Sequence, residues 1–178
     1  MRLDFIETFT GRRFRPLSPD PEEIDIRDIA HALSQQCRFS GHTRVPYSVA
    51  QHSVLVAHEV ERCGGTREEQ LWGLLHDASE AYLVDIPSPL KHAPEFAAYR
   101  VAEERMMQAV CKRFDLPLAE PRIVRAADET LLGNEARDLM PFLTEHWGGW
   151  APSGKRIIPW GPFSAKDQFL FAYEELSE

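Results

Sequence analysis

The sequence predicts an all-α, single-domain bundle of about six helices, and three observations carry that expectation. Apolar residues recur at helical spacing in successive segments, each opened or closed by a capping or breaking residue. No strand-turn-strand pattern occurs beyond the N-terminal stretch. A chain of 178 residues is the size of one ordinary domain, long enough to bury a single core.

Residues 1–24, running through Pro16-Leu17-Ser18-Pro19-Asp20-Pro21, suit an extended segment or short hairpin, because proline resists helix. Asp25 then reads as the N-cap of a helix from Ile26 to about Gln36, with Ile26, Ile29, Ala30 and Leu33 on one stripe. The Gly- and Pro-punctuated stretch from Arg38 to Tyr47 mixes Arg, His and aromatic residues, as binding loops often do. Ser48 caps a helix from Val49 to about Arg62, stopped by Gly64-Gly65. Thr66 and Glu69 form a capping box before a helix from Arg67 to about Ala81. Pro87 and Pro89 break the chain. A long helix from Pro94 to about Phe114 follows, with Phe96, Tyr99, Val101, Met106, Met107 and Val110 as core candidates. Glu120-Pro121 opens another, running to about Met140. Residues 141–163 read as irregular and aromatic, and Ser164 as the cap of a closing helix containing Phe169, Leu170, Ala172 and Tyr173. Trp147, Trp150, Trp160 and Phe163 read first as a cover over the core, with a homodimer interface as the alternative.

The net charge of −8 argues against a nucleic-acid polymer as partner, since affinity for phosphate backbones comes mainly from Lys and Arg. The dense basic run Arg12-Arg13-Phe14-Arg15 reads as a solvated strand or loop. No run approaches the roughly 18 apolar residues of a membrane span. The start has no apolar core of a secretory signal, and Cys37, Cys63 and Cys111 are odd in number and widely spaced. These features point to free thiols and a cytoplasmic protein.

Polar residues on the apolar faces carry the chemistry. His52 shares a stripe with Val49 and Val56, whereas His58 is rotated from it by roughly 240°. His76 and Asp77 sit together inside an apolar segment, and Trp72, His76 and Glu80 follow one another at i+4 spacing. Asp128 shares a face with Val124, Leu131 and Glu135. One such group is ordinarily a hydrogen-bonded core residue. Two imidazoles and two carboxylates turned into one bundle call for compensation, because uncompensated buried carboxylates are costly. A divalent cation compensates all four, and mixed imidazole and carboxylate ligands suit Mn, Fe, Co, Ni or Zn.

The arrangement His52, His76-Asp77, Asp128 resembles the H…HD…D signature of the HD-domain metal-dependent phosphohydrolases. The stretch from His76 to Lys91 is similar to the bacterial 5′-deoxynucleotidase branch, in which HDxSE is followed by D-x-P-x-P-x-K. Ser48 to Ser53 resembles the segment carrying that branch's first metal histidine, and Val124 to Asp128 the one carrying its last aspartate. The likeness runs from about Ile26 to Leu139. It implies an HD-domain fold, and one metal ion held by His52, His76, Asp77 and Asp128. It also implies that Glu80 orients or deprotonates the attacking water and Asp85 protonates the leaving 5′ oxygen. Arg38 would hold the phosphate, and Lys91 would line the mouth of the site. Phe39 stands where the branch usually has Trp, which bears on sugar selection, and His42 lies in the donor-rich loop Gly41-His42-Thr43-Arg44.

The expected activity is hydrolysis of a (deoxy)nucleoside 5′-monophosphate, with a dNTP triphosphohydrolase of the same fold as the alternative. A non-catalytic nucleotide-binding protein with a structural metal is the alternative of another class. Binuclear relatives add histidines between the HD pair and the last Asp. Here His92 is the only one in that interval, which favours a single ion.

Overall fold

The computed structural model describes residues 4–142, 154 and 156–177. The bundle is all-α, as expected, apart from one small hairpin. Strands β1 (Ile6–Glu7) and β2 (Arg13–Phe14) pair antiparallel, Ile6 opposite Phe14 and Glu7 opposite Arg13. Gly11 supplies the positive φ of 81° that the connecting turn requires. Thr10 fastens the hairpin to the first helix, its backbone N–H and Oγ1 both donating to the buried Asp28 carboxylate at 2.7 and 2.9 Å. Phe14 is wholly buried, while the arginines on either side of it stay exposed.

The helices are α1 (Ile26–Gln35), α2 (Val49–Arg62), α3 (Arg67–Leu75), α4 (Glu80–Leu83), α5 (Ser88–Lys91), α6 (Ala97–Arg113), α7 (Arg122–Leu139) and α8 (Pro162–Ser177). Among the described residues six are of substantial length, while α4 and α5 are single turns. Helix α2 is central and packs against α1, α3, α7 and α8. Its contact with α3 is close because of Gly73, where a Cβ would stand 3.4 Å from Ala57 Cα and from the Val56 and Val60 methyls. Among the described residues, no helix is long and apolar enough to cross a membrane.

The caps on α1, α2 and α3 are those expected. Ser48 Oγ accepts from Gln51 N–H at 3.2 Å, and Thr66 and Glu69 make both bonds of the capping box. Asp25 does more than cap α1. Its Oδ1 accepts from Arg27 N–H at 2.9 Å, and the Arg27 guanidinium grips both oxygens at 2.9 and 2.6 Å. That hydrogen bond holds the Asp25 carboxyl at about 2, below its ordinary 3.8. A depressed carboxylate stabilises the fold fully above its unfolded value and loses that contribution as pH falls through about 2. Asp25→Ala is therefore expected to cost about 1 kcal/mol near neutral pH. In urea unfolding, the gap to the parent should close as the pH is lowered from 3.8 towards about 2.

Four expectations need correction. The helix expected from Arg67 to Ala81 stops at Leu75, and the chain winds through three-residue turns before α4, with Ala78 N–H on Leu75 O and Glu80 N–H on Asp77 O. Val101 is 47% exposed on α6, because the buried face there is Ala102, Met106, Ala109 and Val110. The long helix starts at Ala97, after a separate 3-10 turn over Pro94–Phe96. Helix α8 begins at Pro162, not after Ser164, since Ala165 N–H already bonds Gly161 O at 2.9 Å.

Trp160 packs on the core as a cover, its backbone N–H donating to Gln51 Oε1 at 2.7 Å, whereas Phe163 is 80% exposed. Trp147 and Trp150 lie outside the described residues.

Candidate metal centre

Helix α2 carries His52 on the same face as Val49 and Val56, and the imidazole is wholly buried. His76 and Asp77 reach it from the turns between α3 and α4, and Asp128 from α7. His52 Nε2 lies 3.3 Å from His76 Nε2, 3.1 Å from Asp128 Oδ1 and 3.8 Å from Asp77 Oδ2. His76 Nε2 is 3.2 Å from Asp77 Oδ2. His52, His76 and Asp77 each offer a ligand atom, and these atoms all lie within 4.8 Å of one another, a group able to hold a metal ion. Asp128 adjoins it through His52, with its side chain 42% exposed.

The hydrogen bonds on the far side of each ring decide what the near side offers. His52 Nδ1 is 2.6 Å from Glu135 Oε1, and His76 Nδ1 is 2.7 Å from Gly73 O. Both partners are acceptors, so both Nδ1 atoms carry the proton. The two Nε2 lone pairs then face each other and two carboxylates. Only a positive charge at the centre, a proton or a metal ion, satisfies that arrangement, and the nitrogen and oxygen donors fit a divalent transition metal.

The electrostatics agree. Burial pulls the His76 imidazole down, but the Asp77 carboxylate outweighs it and holds the pKa at about 9. For His52, burial and Arg38 act downward, and Glu135 and Asp128 reverse the sign. Burial raises the Asp128 carboxyl, yet the bond from His52 keeps it at about 2. Glu80 behaves oppositely. Burial first, then the Asp77 and Asp85 carboxylates, push it up to about 9. It is 4% exposed, and its Oε2 is buried without a hydrogen-bond partner among the described residues.

Arg38 comes from the loop between α1 and α2, whose ends are drawn together where Cys37 bridges Ser48 and Arg38 N–H bonds Tyr47 O. Its Nη1 donates to Asp77 Oδ2 at 3.4 Å and its Nη2 to Glu135 Oε2 at 3.3 Å, while Nε is buried without a partner among the described residues.

No family model matches the chain. Over 180 aligned residues, 99% of this chain and 97% of the relative, it is 36% identical to the uncharacterized protein YfdR of Escherichia coli (strain K12). The chain belongs to the YfdR family. Another relative is the uncharacterized protein RCAP_rcc00048 of Rhodobacter capsulatus, 39% identical over 150 residues, which span 80% of this chain and 76% of that one.

In this YfdR-family chain the remaining predicted residues fall as follows. Phe39 lies beside Arg38, with the guanidinium carbon 5.4 Å from the ring centre. Its φ of 55°, like the 51° of Ser40, is left-handed, a strained conformation for side chains of these kinds. Asp85 is half-buried, and burial raises its carboxyl above the ordinary value. It follows Val84, which has φ 75° and ψ 148°, a region suited to glycine. Three bonds restrain this turn. Tyr99 Oη donates to Val84 O at 2.7 Å, and Gln36 accepts from Asp85 N–H and donates to Glu80 O, both at 3.0 Å.

Lys91 is anchored, not solvated. Its Nζ lies 2.6 Å from Glu103 Oε1 and 3.5 Å from Glu80 Oε1. His42 is exposed, and its backbone N–H closes the Arg38–Gly41 turn on Phe39 O at 3.0 Å. Arg44, the last residue of the donor-rich loop, closes the end of α7, its Nη2 donating to Asp138 O at 2.6 Å.

Sequence reasoning missed Glu135, Tyr47, Gln36 and Glu103. Glu135 had a signal, since it shares the Asp128 stripe. Tyr47 ends the stretch read as a binding loop, whereas Gln36 and Glu103 had no signal.

Proposed function

We propose that this chain is a metal-dependent phosphohydrolase acting on (deoxy)nucleoside 5′-monophosphates. The observation that carries the reading is the His52, His76, Asp77 and Asp128 cluster, flanked by Arg38 and Glu80, each with one buried polar atom that has no partner among the described residues. The resemblance to the HD phosphohydrolases supports it, since these are the residues that likeness assigns.

The four residues would hold one divalent ion of Mn, Co, Ni, Fe or Zn. When bound, such an ion supplies Lewis acidity to a phosphoryl oxygen and makes an attached water easier to deprotonate. The chain's own groups do the rest. Arg38 binds the non-bridging phosphate oxygens through its Nε and the weakly held Nη atoms, offsetting charge as the phosphorus–oxygen bond breaks. Glu80 orients the attacking water and takes its proton at Oε2. Asp85, with its raised pKa, gives a proton to the departing 5′ oxygen. The products are a nucleoside and inorganic phosphate. We assign contact with the sugar to the Phe39 ring, on the ground that it lies beside Arg38. Arg44 is committed to α7, which favours a monophosphate over a triphosphate.

A screen of dNMP, NMP, dNTP and NTP against Mn, Co, Ni, Zn and Mg tests the reading. Phosphate release from dNMP with a transition ion is expected. Turnover confined to cyclic nucleotides overturns it, and no turnover by metal-loaded protein moves the chain to the nucleotide-binding class.

A further inference from the structure

The geometry points to Glu135 as a positioning residue that sets the metal-binding nitrogen of His52 and the anion-binding guanidinium of Arg38 against one another. The inference rests on the phosphohydrolase reading and adds a residue that the resemblance does not assign. Glu135 is 0% exposed and stands two turns along α7 from Asp128, roughly 10 Å up the helix axis, away from the ligand position itself. Its carboxylate collects three donors from two other parts of the chain. Oε1 accepts from His52 Nδ1–H at 2.6 Å and from Tyr47 Oη at 2.8 Å, and Oε2 from Arg38 Nη2 at 3.3 Å.

Each bond has a consequence at the centre. The His52 bond fixes the tautomer that turns a lone pair, not a proton, towards His76, Asp77 and Asp128. The Arg38 bond holds the guanidinium over the same cluster, yet at 3.3 Å it leaves capacity for a substrate oxygen. The Tyr47 bond stops the carboxylate from rotating off either partner. Only a charged, acceptor-only group serves all three. An amide in its place offers one accepting oxygen, and its N–H₂ would oppose either the guanidinium or the imidazole N–H.

The test compares Glu135→Gln with the parent by calorimetric titration of Mn²⁺ alone and by dNMP kinetics, with circular dichroism as the check on folding. Glu135→Gln is expected to weaken Mn²⁺ binding by about 10- to 100-fold. It should also raise KM more than it lowers kcat, because Arg38 loses its anchor. A merely structural glutamate would lower the melting temperature and leave Mn²⁺ affinity alone. A folded variant with both Mn²⁺ affinity and KM within about twofold of the parent overturns the inference while the phosphohydrolase reading stands. A parent that neither binds Mn²⁺ nor hydrolyses dNMP overturns both. Should Glu135→Gln fail to fold, Tyr47→Phe decides. It keeps the charge and removes one restraint, so Mn²⁺ binding weaker than the parent's supports the role, and unchanged binding overturns it.

Discussion

Glu80→Gln is expected to lower the rate of dNMP hydrolysis by about 10²- to 10⁴-fold while leaving Mn²⁺ affinity near that of the parent. The separation follows from position. Glu80 is not in the group of ligand atoms around His52, His76 and Asp77, yet its carboxyl is pushed up to about 9 by burial and by the Asp77 and Asp85 carboxylates. In the metal-free protein this carboxyl holds a proton near neutral pH; a cation at the cluster would favour the carboxylate that takes the water's proton, a role glutamine cannot fill. The same substitution carries a stability signature in metal-free protein. An acid whose folded pKa is raised contributes most below its unfolded value of 4.5 and loses that contribution as pH rises through about 9. Glu80→Gln removes the charge that the fold resists, so the metal-free variant should be the more stable one above pH 4.5, increasingly so towards 9. Stopped assays of phosphate release, calorimetry and urea melts at several pH values check the three parts. Loss of Mn²⁺ affinity in step with activity would make Glu80 a ligand instead.

Asp77→Ala is expected to remove the metal response altogether. Asp77 Oδ2 faces His76 Nε2, His52 Nε2 and Arg38 Nη1 at 3.2, 3.8 and 3.4 Å, so one oxygen balances three groups. In the parent, an ion bound at this site and present at about 100 times its Kd would add roughly 2.7 kcal/mol to folding stability. For a domain of this size that is about 5–10 °C in Tm. The variant should show no such shift, and phosphate release should fall below detection. Thermal melts with and without Mn²⁺ read the outcome. A full metal-dependent shift in Asp77→Ala would remove this carboxylate from the ligand set.

The features legible in the sequence are those written in short stretches of chain. Asp25, Ser48 and the Thr66/Glu69 pair cap helices that the structure starts at the expected residues, because a cap bonds backbone only two or three positions away. The inward phase of His52 needs nothing beyond one helical period. The break at His76 escaped the same reasoning, since a 3-10 winding and an α-helix place apolar residues at nearly the same spacing over one turn. Asp85 was singled out from a motif, but the strained Val84 before it was not, because valine carries no local mark of a positive φ.

By itself the sequence determined the six long helices apart from some of their ends, the caps of α1, α2 and α3, and the shared faces that turn His52, Asp128 and Glu135 inward, while for residues 1–24 it left an extended segment or a short hairpin open. Tertiary structure alone decided which of these meet. Arg38 finds Asp77 across 39 positions, His52 finds Glu135 across 83, and Arg38 finds Glu135 across 97. It also decided that Lys91 pairs with Glu103 and that Arg44 closes α7. The physical reason is range. Backbone hydrogen bonding and side-chain periodicity act over three or four residues, whereas buried charges are balanced by whichever groups packing brings alongside them.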